Sequence, residues 1–288
     1  MEQIFKILPH HITDIINIYI SNIEKITEIR IRINKCIYVY LGLVEKKIEY
    51  ISTYQDIMTV IKNVSMNSIY SVQQDINAGY ILVNGGHRIG LVGDVVYVDG
   101  KIKNIKNISS LNIRIAKQII GVADKVINYI YDNNEIKNTL IVSPPGMGKT
   151  TILRDVIRKI SNLGKNVSVI DERGELSAKC NGVPMLDLGD RTDVISYVSK
   201  KDGYIMALRS MAPDVICTDE IGSSSDIDVI KEISRCGVKF IVTMHASSVK
   251  DIYSSDISKI ISNKYLDRII ILSKKCGIGT IEEVIKLN

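Results

Sequence analysis

Within Thr139-Leu-Ile-Val-Ser-Pro-Pro-Gly-Met-Gly-Lys-Thr-Thr151, residue types and spacing suit the handling of a phosphate chain. Leu140, Ile141 and Val142 read as a buried strand. Pro145, Gly146, Met147 and Gly148 form a turn, and Lys149-Thr150-Thr151 opens an amphipathic helix. A strand, a Gly-containing loop and a helix N-terminus together make a phosphate-binding loop, because the glycines let backbone N–H groups turn inward and the helix end adds partial positive charge. Lys149 is placed to reach the β- and γ-phosphates of a nucleotide, and the Thr150 hydroxyl to ligate Mg²⁺. The strict pattern begins with Gly, and here Ser143 holds that place.

Three further stretches end apolar runs in reactive side chains. Asp214-Val-Ile-Cys-Thr-Asp-Glu220 closes on two carboxylates. Asp219 can hold Mg²⁺ through its water shell, and Glu220 can orient or deprotonate the attacking water. Asp171-Glu-Arg-Gly-Glu175 offers Asp171 or Glu172 as a second water-activating acid, against the plainer reading of a solvated turn. Thr243-Met-His245 puts an imidazole at another strand end, where it would sense the γ-phosphate or merely satisfy local hydrogen bonds. Arg191 and Arg209 flank the acidic strand in sequence. Each is a candidate to neutralise transition-state charge, within one subunit or across an interface, or to pair with a nearby carboxylate. Arg88 and Arg114 raise the same question earlier in the chain. His10, His11 and His87 have no metal-ligand spacing, so Mg²⁺ is the one metal expected.

The elements that must position these residues fall into two groups. Residues 1–118 read as an α+β domain. Helical spacing over 9–27 is followed by strict alternation in Thr27-Glu-Ile-Arg-Ile-Arg-Ile-Asn34, a strand at Cys36–Leu41, and a helix over 54–78 that includes Tyr70-Ser-Val-Gln-Gln74. Two strands then join through Asn84-Gly-Gly86, another strand runs from Val95, and Ser110–Ala116 closes the domain. Residues 119–288 alternate helix and strand, with helices at Val122–Tyr131, from the phosphate loop to Leu163, at Gly203–Met211, at Ser225–Cys236 and over 249–262. The strands between them are Val167–Asp171, Asp214–Asp219, Val238–Thr243 and Arg268–Ser273. That alternation predicts an α/β fold with a mostly parallel sheet, covered on both faces, whose ligand sits at the strands' carboxyl ends.

Composition narrows the classes. A net charge of +5 permits contact with an anionic partner without demanding one. Aromatic content of 6%, with no Trp and no basic stripe interleaved with aromatics, disfavours a nucleic-acid-dependent ATPase. Five cysteines without CxxC spacing, no signal peptide and no apolar run near the ~20 residues of a membrane span predict a cytoplasmic protein.

Together these stretches resemble the secretion-type ATPase superfamily of type II and type IV secretion and pilus assembly. Within it they are most similar to the stage III sporulation AA family of endospore-forming bacteria. Ser143–Thr151 looks like its phosphate loop (Walker A), Ala212–Gly222 its Walker B strand, Asp171–Glu175 its acidic box and Thr243–Ala246 its His box. Glu28–Arg32, Gly85–Gly90 and Ser110–Ala116 look like family sequence too, so the likeness spans nearly the whole chain. The resemblance implies a RecA-like P-loop ATPase domain using ATP and Mg²⁺. It also implies a ring, a homo-hexamer, with nucleotides held between the two domains and approached by first-domain arginines. Glu220 and an acid of the box would activate water, and His245 would couple nucleotide state to movement. In sporulation the ring would sit on the mother-cell face of the membrane and power a channel through a membrane-embedded partner. Asp219 stands where the superfamily often has Gly. The resemblance does not extend to the large amino-terminal domains of type II motors, so membrane contact is expected at the first domain or the ATPase surface. A slow nucleotide-binding scaffold is the remaining rival, and the intact pair Asp219 and Glu220 argues against it.

Overall fold

The computed structural model describes the chain except residues 66–75, 78, 84, 180–181, 247, 274, 276–278 and 288, and the side chains of Lys101 and Val249. The part of the expected 54–78 helix that falls on 66–75 and 78, the turn residue Asn84, and Cys180 and Cys276 therefore lie outside the described residues. The chain divides into two compact units, one built on Met1–Lys117 and the other on Gln118–Lys179 with Leu186–Asn288.

In the first unit helices α1 (Glu2–Ile7) and α2 (His10–Tyr19) precede strands β1 (Glu28–Arg32), β2 (Cys36–Leu41) and β3 (Val44–Ile51). Helix α3 (Tyr54–Val64) and strands β4 (Tyr80–Val83), β5 (His87–Val98) and β6 (Lys101–Arg114) follow. The strands make one antiparallel sheet in the order β3-β2-β1-β6-β5-β4. Alternation fixes its register. Ile29 and Ile31 of β1, Ile37 and Val39 of β2 and Ile113 of β6 are fully buried beneath the helices, while Glu28, Arg30 and Arg32 take the other face. A slip of one residue would turn every one of those isoleucines outward, at ~2 kcal/mol for each side chain exposed. Helix α3 opens with a reciprocal capping box between Thr53 and Asp56. The separate strand expected from Val95 is instead the continuation of β5 through an irregularity at Gly93. A Cβ there would stand 2.4 Å from the Lys106 carbonyl oxygen, so only glycine lets the strands approach.

The second unit runs α4 (Ile127–Ile130), β7 (Tyr131–Asp132), β8 (Glu135–Ile136), β9 (Thr139–Ser143), α5 (Lys149–Asn162), β10 (Val167–Asp171), β11 (Thr192–Ser196) and α6 (Lys200–Ser210). It continues through β12 (Val215–Thr218), α7 (Ser224–Arg235), β13 (Lys239–His245), α8 (Val249–Ser254), α9 (Ser258–Ser262), β14 (Arg268–Ser273) and β15 (Thr280–Lys286). Its sheet has the order β11-β10-β12-β13-β9-β14-β15 and is parallel except for the β14–β15 pair. Apolar cores lie on both faces: Ile141, Val169 and Cys217 point into one, Leu140, Ile170 and Ile216 into the other. Burial on both sides explains why these strands read as continuous apolar runs.

Two expected helices are shorter than their patterns. Only Ile127–Ile130 is helical within 122–131, because the Ala123 N–H is drawn to Asp155 Oδ2 at 2.9 Å and Asn133 and Asn134 turn the chain through left-handed backbone. The stretch 249–262 breaks at Ser255, which is extended. Among the described residues no helix is long and apolar enough to cross a membrane.

Candidate nucleotide-binding site

Strands β10, β12, β13 and β9 are neighbours, and their registers align Ile170 with Thr218, Thr218 with Val242, and His245 with Ser143. The carboxyl ends of these four strands therefore deliver the acidic box, Asp219-Glu220, His245 and the phosphate loop to one edge of the second unit. Ser143 is the last residue of β9, in extended backbone that any residue adopts, so the glycine of the strict pattern is not needed there. Gly146 and Gly148 carry the left-handed conformations of the loop, at φ 72° and 85°, and a Cβ on Gly146 would meet nothing within 4 Å. The loop thus frames an open cradle at the N-terminus of α5. The cavity above it has a volume of about 520 Å³, and Gly148, Lys149, Thr150, Thr151, Glu220 and His245 are among its lining residues.

Lys149 is buried at 4% exposure. Its ammonium donates to the Ser143 carbonyl at 3.0 Å and to His245 Nδ1 at 2.7 Å. Burial lowers its pKa, opposed in part by the charges of Asp219 and Glu220. Since Nδ1 accepts from the ammonium, the imidazole proton belongs on Nε2, which donates to Glu220 Oε1 at 2.8 Å. The other carboxylate oxygen, Oε2, accepts from Arg173 Nη1 at 2.8 Å. Burial acts to raise the Glu220 pKa, but the His245 hydrogen bond and the charges of Arg173 and Lys149 outweigh it, and the net shift is downward. Glu220 also has left-handed backbone, φ 50°, a strained state for a non-glycine residue. Its N–H is held by Thr243 Oγ1 at 2.9 Å and by Asp219 Oδ1 at 3.1 Å.

Thr150 Oγ1 donates to Asp219 Oδ2 at 2.6 Å, and Thr243 Oγ1 donates to Asp219 Oδ1. A hydroxyl and a carboxylate meeting beside the cradle are the hard oxygen donors that suit Mg²⁺, so the residues present fit that ion. Among the described residues no cluster of three or more His, Cys, Asp or Glu side chains marks another metal centre.

The two acids of the box separate. Asp171 is buried, with its oxygens taken by Leu176 N–H at 3.1 Å and by the Ser177 N–H and hydroxyl at 2.9 and 2.7 Å. It fastens its own loop. Glu172 is the acid that reaches solvent, paired to Lys200 at 2.7 Å, beside Asp219 and Glu220 in a small cleft. Arg191 and Arg209 stand away from the phosphate loop within the unit. The Arg191 carbonyl pairs with the Val167 N–H at the amino ends of β10 and β11, the opposite edge of the sheet from the loop. Arg209, exposed, lines a cavity between α6 and α7. In the first unit Arg88 lies opposite Arg114 in the β5–β6 register and stacks over the Tyr80 ring at 3.7 Å, while Arg114 approaches Glu28.

Three residues at this edge had gone unassigned in the sequence: Arg173, Arg154 and Thr243. Arg173 and Thr243 sit inside motifs already singled out, and an arginine within an acidic box was the available signal. Arg154 gave none beyond its place on α5, where it is buried and donates to the carbonyls of Leu176 and Glu175 at 2.9 Å each.

A family model described as "Sporulation stage III, protein AA" matches residues 1–287. The chain belongs to that family. It is 34% identical over 291 residues to the stage III sporulation protein AA of Bacillus subtilis (strain 168), covering 99% of this chain and 94% of that protein. Among solved structures it is similar to the Legionella pneumophila ATPase DotB, with a TM-score of 0.60 at 16% identity over 92% of this chain and 76% of that one. It is also similar to the pilus retraction motor PilT with bound ADP, with a TM-score of 0.57 at 17% identity over 89% and 77%. The fold of this family member is thus that of the P-loop secretion ATPases.

Proposed function

We propose that this protein is a Mg²⁺-dependent ATPase that works as a ring, a homo-hexamer, and converts hydrolysis into movement within a secretion-like complex of sporulation. One observation carries the reading: Lys149, Thr150, Asp219, Glu220 and His245 converge through direct hydrogen bonds beside an open glycine cradle. In this reading Lys149 and the loop residues Pro145–Gly148 hold the phosphates, and Thr150 and Asp219 hold Mg²⁺, which would supply charge neutralisation on them. Glu220 takes the proton of the attacking water, with Glu172 nearest to share that work. His245, bonded to both Lys149 and Glu220, is the group through which phosphate occupancy would reach the acid. Arg88 and Arg114 are the first unit's candidates to contact nucleotide phosphates. Arg191 and Arg209, distant from the loop in their own subunit, would serve a neighbour's site. The ring is cytoplasmic, on the mother-cell face of the membrane, and acts through a membrane-embedded channel partner.

The test is ATP hydrolysis by the purified protein over a concentration series, beside Lys149→Ala and Glu220→Gln. Activity per subunit should rise with concentration, and Lys149→Ala should lose at least ~100-fold, the scale of one preorganised charge-stabilising donor. Nucleotide binding without turnover at any concentration would replace the motor with the scaffold reading.

A further inference from the structure

Arg173 occupies a place that the proposed hydrolysis alone does not explain. It lies in the turn after β10, and that turn is fastened from beneath. Asp171 takes the Leu176 and Ser177 N–H groups, and buried Arg154 holds the carbonyls of Glu175 and Leu176. Gly174, at φ 71°, lets the Tyr197 ring close over the turn, since a Cβ there would stand 2.8 Å from the Tyr197 hydroxyl. The neighbouring acid, Glu172, is committed to Lys200. The Arg173 guanidinium crosses the cleft to Glu220 Oε2 at 2.8 Å, a residue forty-seven positions away in sequence.

Glu220 is therefore gripped at both oxygens, by two anchors of different character. The His245 anchor leans on Lys149, the group that incoming phosphates attract, so it weakens as Lys149 turns to them. The Arg173 anchor leans on a turn secured by buried Asp171 and Arg154 and does not depend on Lys149. With two thirds of its side chain exposed, Arg173 adds little to folding stability through this pair. Its value lies in orientation. We propose that Arg173 is a positioning residue that holds the Glu220 carboxylate in its working direction while Lys149 engages nucleotide. This rests on the hydrolytic reading above. In that reaction a water O–H bond breaks and its proton passes to Glu220 as the oxygen bonds the γ-phosphorus and the bond to the ADP oxygen breaks. Arg173 exchanges no atom.

The experiment measures steady-state ATP hydrolysis and the affinity of a fluorescent ATP analogue for the full chain, in wild type, Arg173→Gln, Arg173→Lys, Glu220→Gln and the Arg173→Gln/Glu220→Gln pair. Arg173→Gln should lower kcat by about 10- to 100-fold, the cost of a misplaced reacting group. KM and analogue affinity should stay within about twofold, since the lost interaction serves turnover and not ground-state binding. Arg173→Lys should recover part of the rate, and the double variant should be no slower than Glu220→Gln, because the arginine acts only through that carboxylate. An unchanged kcat, a loss appearing in KM and affinity, or full additivity in the Glu220→Gln background would overturn the proposal while leaving the ATPase reading intact. A wild type without turnover would overturn that reading and the role of Arg173 with it.

Discussion

The two units treat charge in opposite ways. In the second, ionisable groups are taken inside and satisfied: Lys149, Arg154, Asp155, Asp171 and Arg268 are all less than a tenth exposed. In the first, apart from the capping Asp56 and His87, which are buried, Glu28, Arg30, Arg32 and Arg114 stay on the open face of the sheet, and Arg114 is 64% exposed. Sheet type accounts for the difference. A parallel sheet covered on both faces has no wet side, so its polar groups gather where strands end, and there the low dielectric makes each pairing consequential. An antiparallel sheet with helices on one face leaves the other to water, where arginines are cheap to keep, Arg30 against Glu28 and Tyr40 and Arg114 close to Glu28. The candidate phosphate site belongs to the edge of the second unit, and a row of basic side chains on one sheet face to the first.

The sharpest way to break this comparison is to remove the strain concentrated at the second unit's edge. Glu220→Gly places glycine where φ is 50°, a conformation that costs a non-glycine residue ~1–3 kcal/mol. Loss of the part-exposed Arg173 and His245 contacts and the greater freedom of glycine when unfolded offset part of that relief. The variant should be as stable as wild type or up to ~1 kcal/mol more stable, by chemical denaturation. Its turnover should fall by ~10²–10⁴-fold with loss of the proton acceptor. A clear loss of stability would mean that the left-handed backbone is not strained and that the ion pairs hold the edge together.

An acid titration of stability sharpens the other half, because the first unit buries the titratable base His87. His87 is 6% exposed, and its Nδ1 accepts the Ala116 N–H at 3.0 Å, a bond that needs the neutral ring. Burial foremost, and then the chain's amino group, lowers its pKa from 6.5 to about 4. Between those values the unfolded chain takes up a proton that the folded chain refuses, so stability is full above pH 6.5, falls as pH drops toward 4, and the loss levels off below it. The effect is at most ~3 kcal/mol. His87→Gln, whose amide oxygen can still accept from Ala116, should flatten that part of the pH–stability curve measured by urea denaturation. An identical slope in the variant would assign the acid sensitivity to carboxylates instead.

What could be read from sequence followed the same division. Strands β9, β10, β12 and β13 announce themselves because burial on both faces makes them mostly apolar, and the reactive residues of β10, β12 and β13 sit one to three steps beyond the last apolar position. Strand β3 gave no such signal: of Val44–Ile51 only Ile48 is buried, and the strand is held by its ladder to β2. Strand β11, half-exposed throughout, was equally silent. Arg191 and Arg209 drew attention by lying near the acidic strand in sequence, yet a parallel sheet returns the chain to its amino edge before each strand, which leaves Arg191 at the far side from the loop. The converse holds for Arg173 and Glu220, where strand order and not sequence distance makes the contact.

The smallest effect is expected at the departure from the phosphate-loop pattern. Ser143 is fully buried and extended; its hydroxyl donates to the Pro144 carbonyl at 2.9 Å, and its own carbonyl receives Lys149. Ser143→Gly keeps that carbonyl and removes a hydroxyl that lies 3.4 Å from the ammonium, so Lys149 loses only a marginal contact. Glycine in a strand weakens it by ~0.5–1 kcal/mol through the entropy of the unfolded chain. The variant should therefore unfold at slightly lower denaturant concentration and bind nucleotide as wild type does. A gain in nucleotide affinity on Ser143→Gly would show that the serine side chain restrains Lys149, and the free lysine, not the strand end, would then be what the glycine of the strict pattern secures.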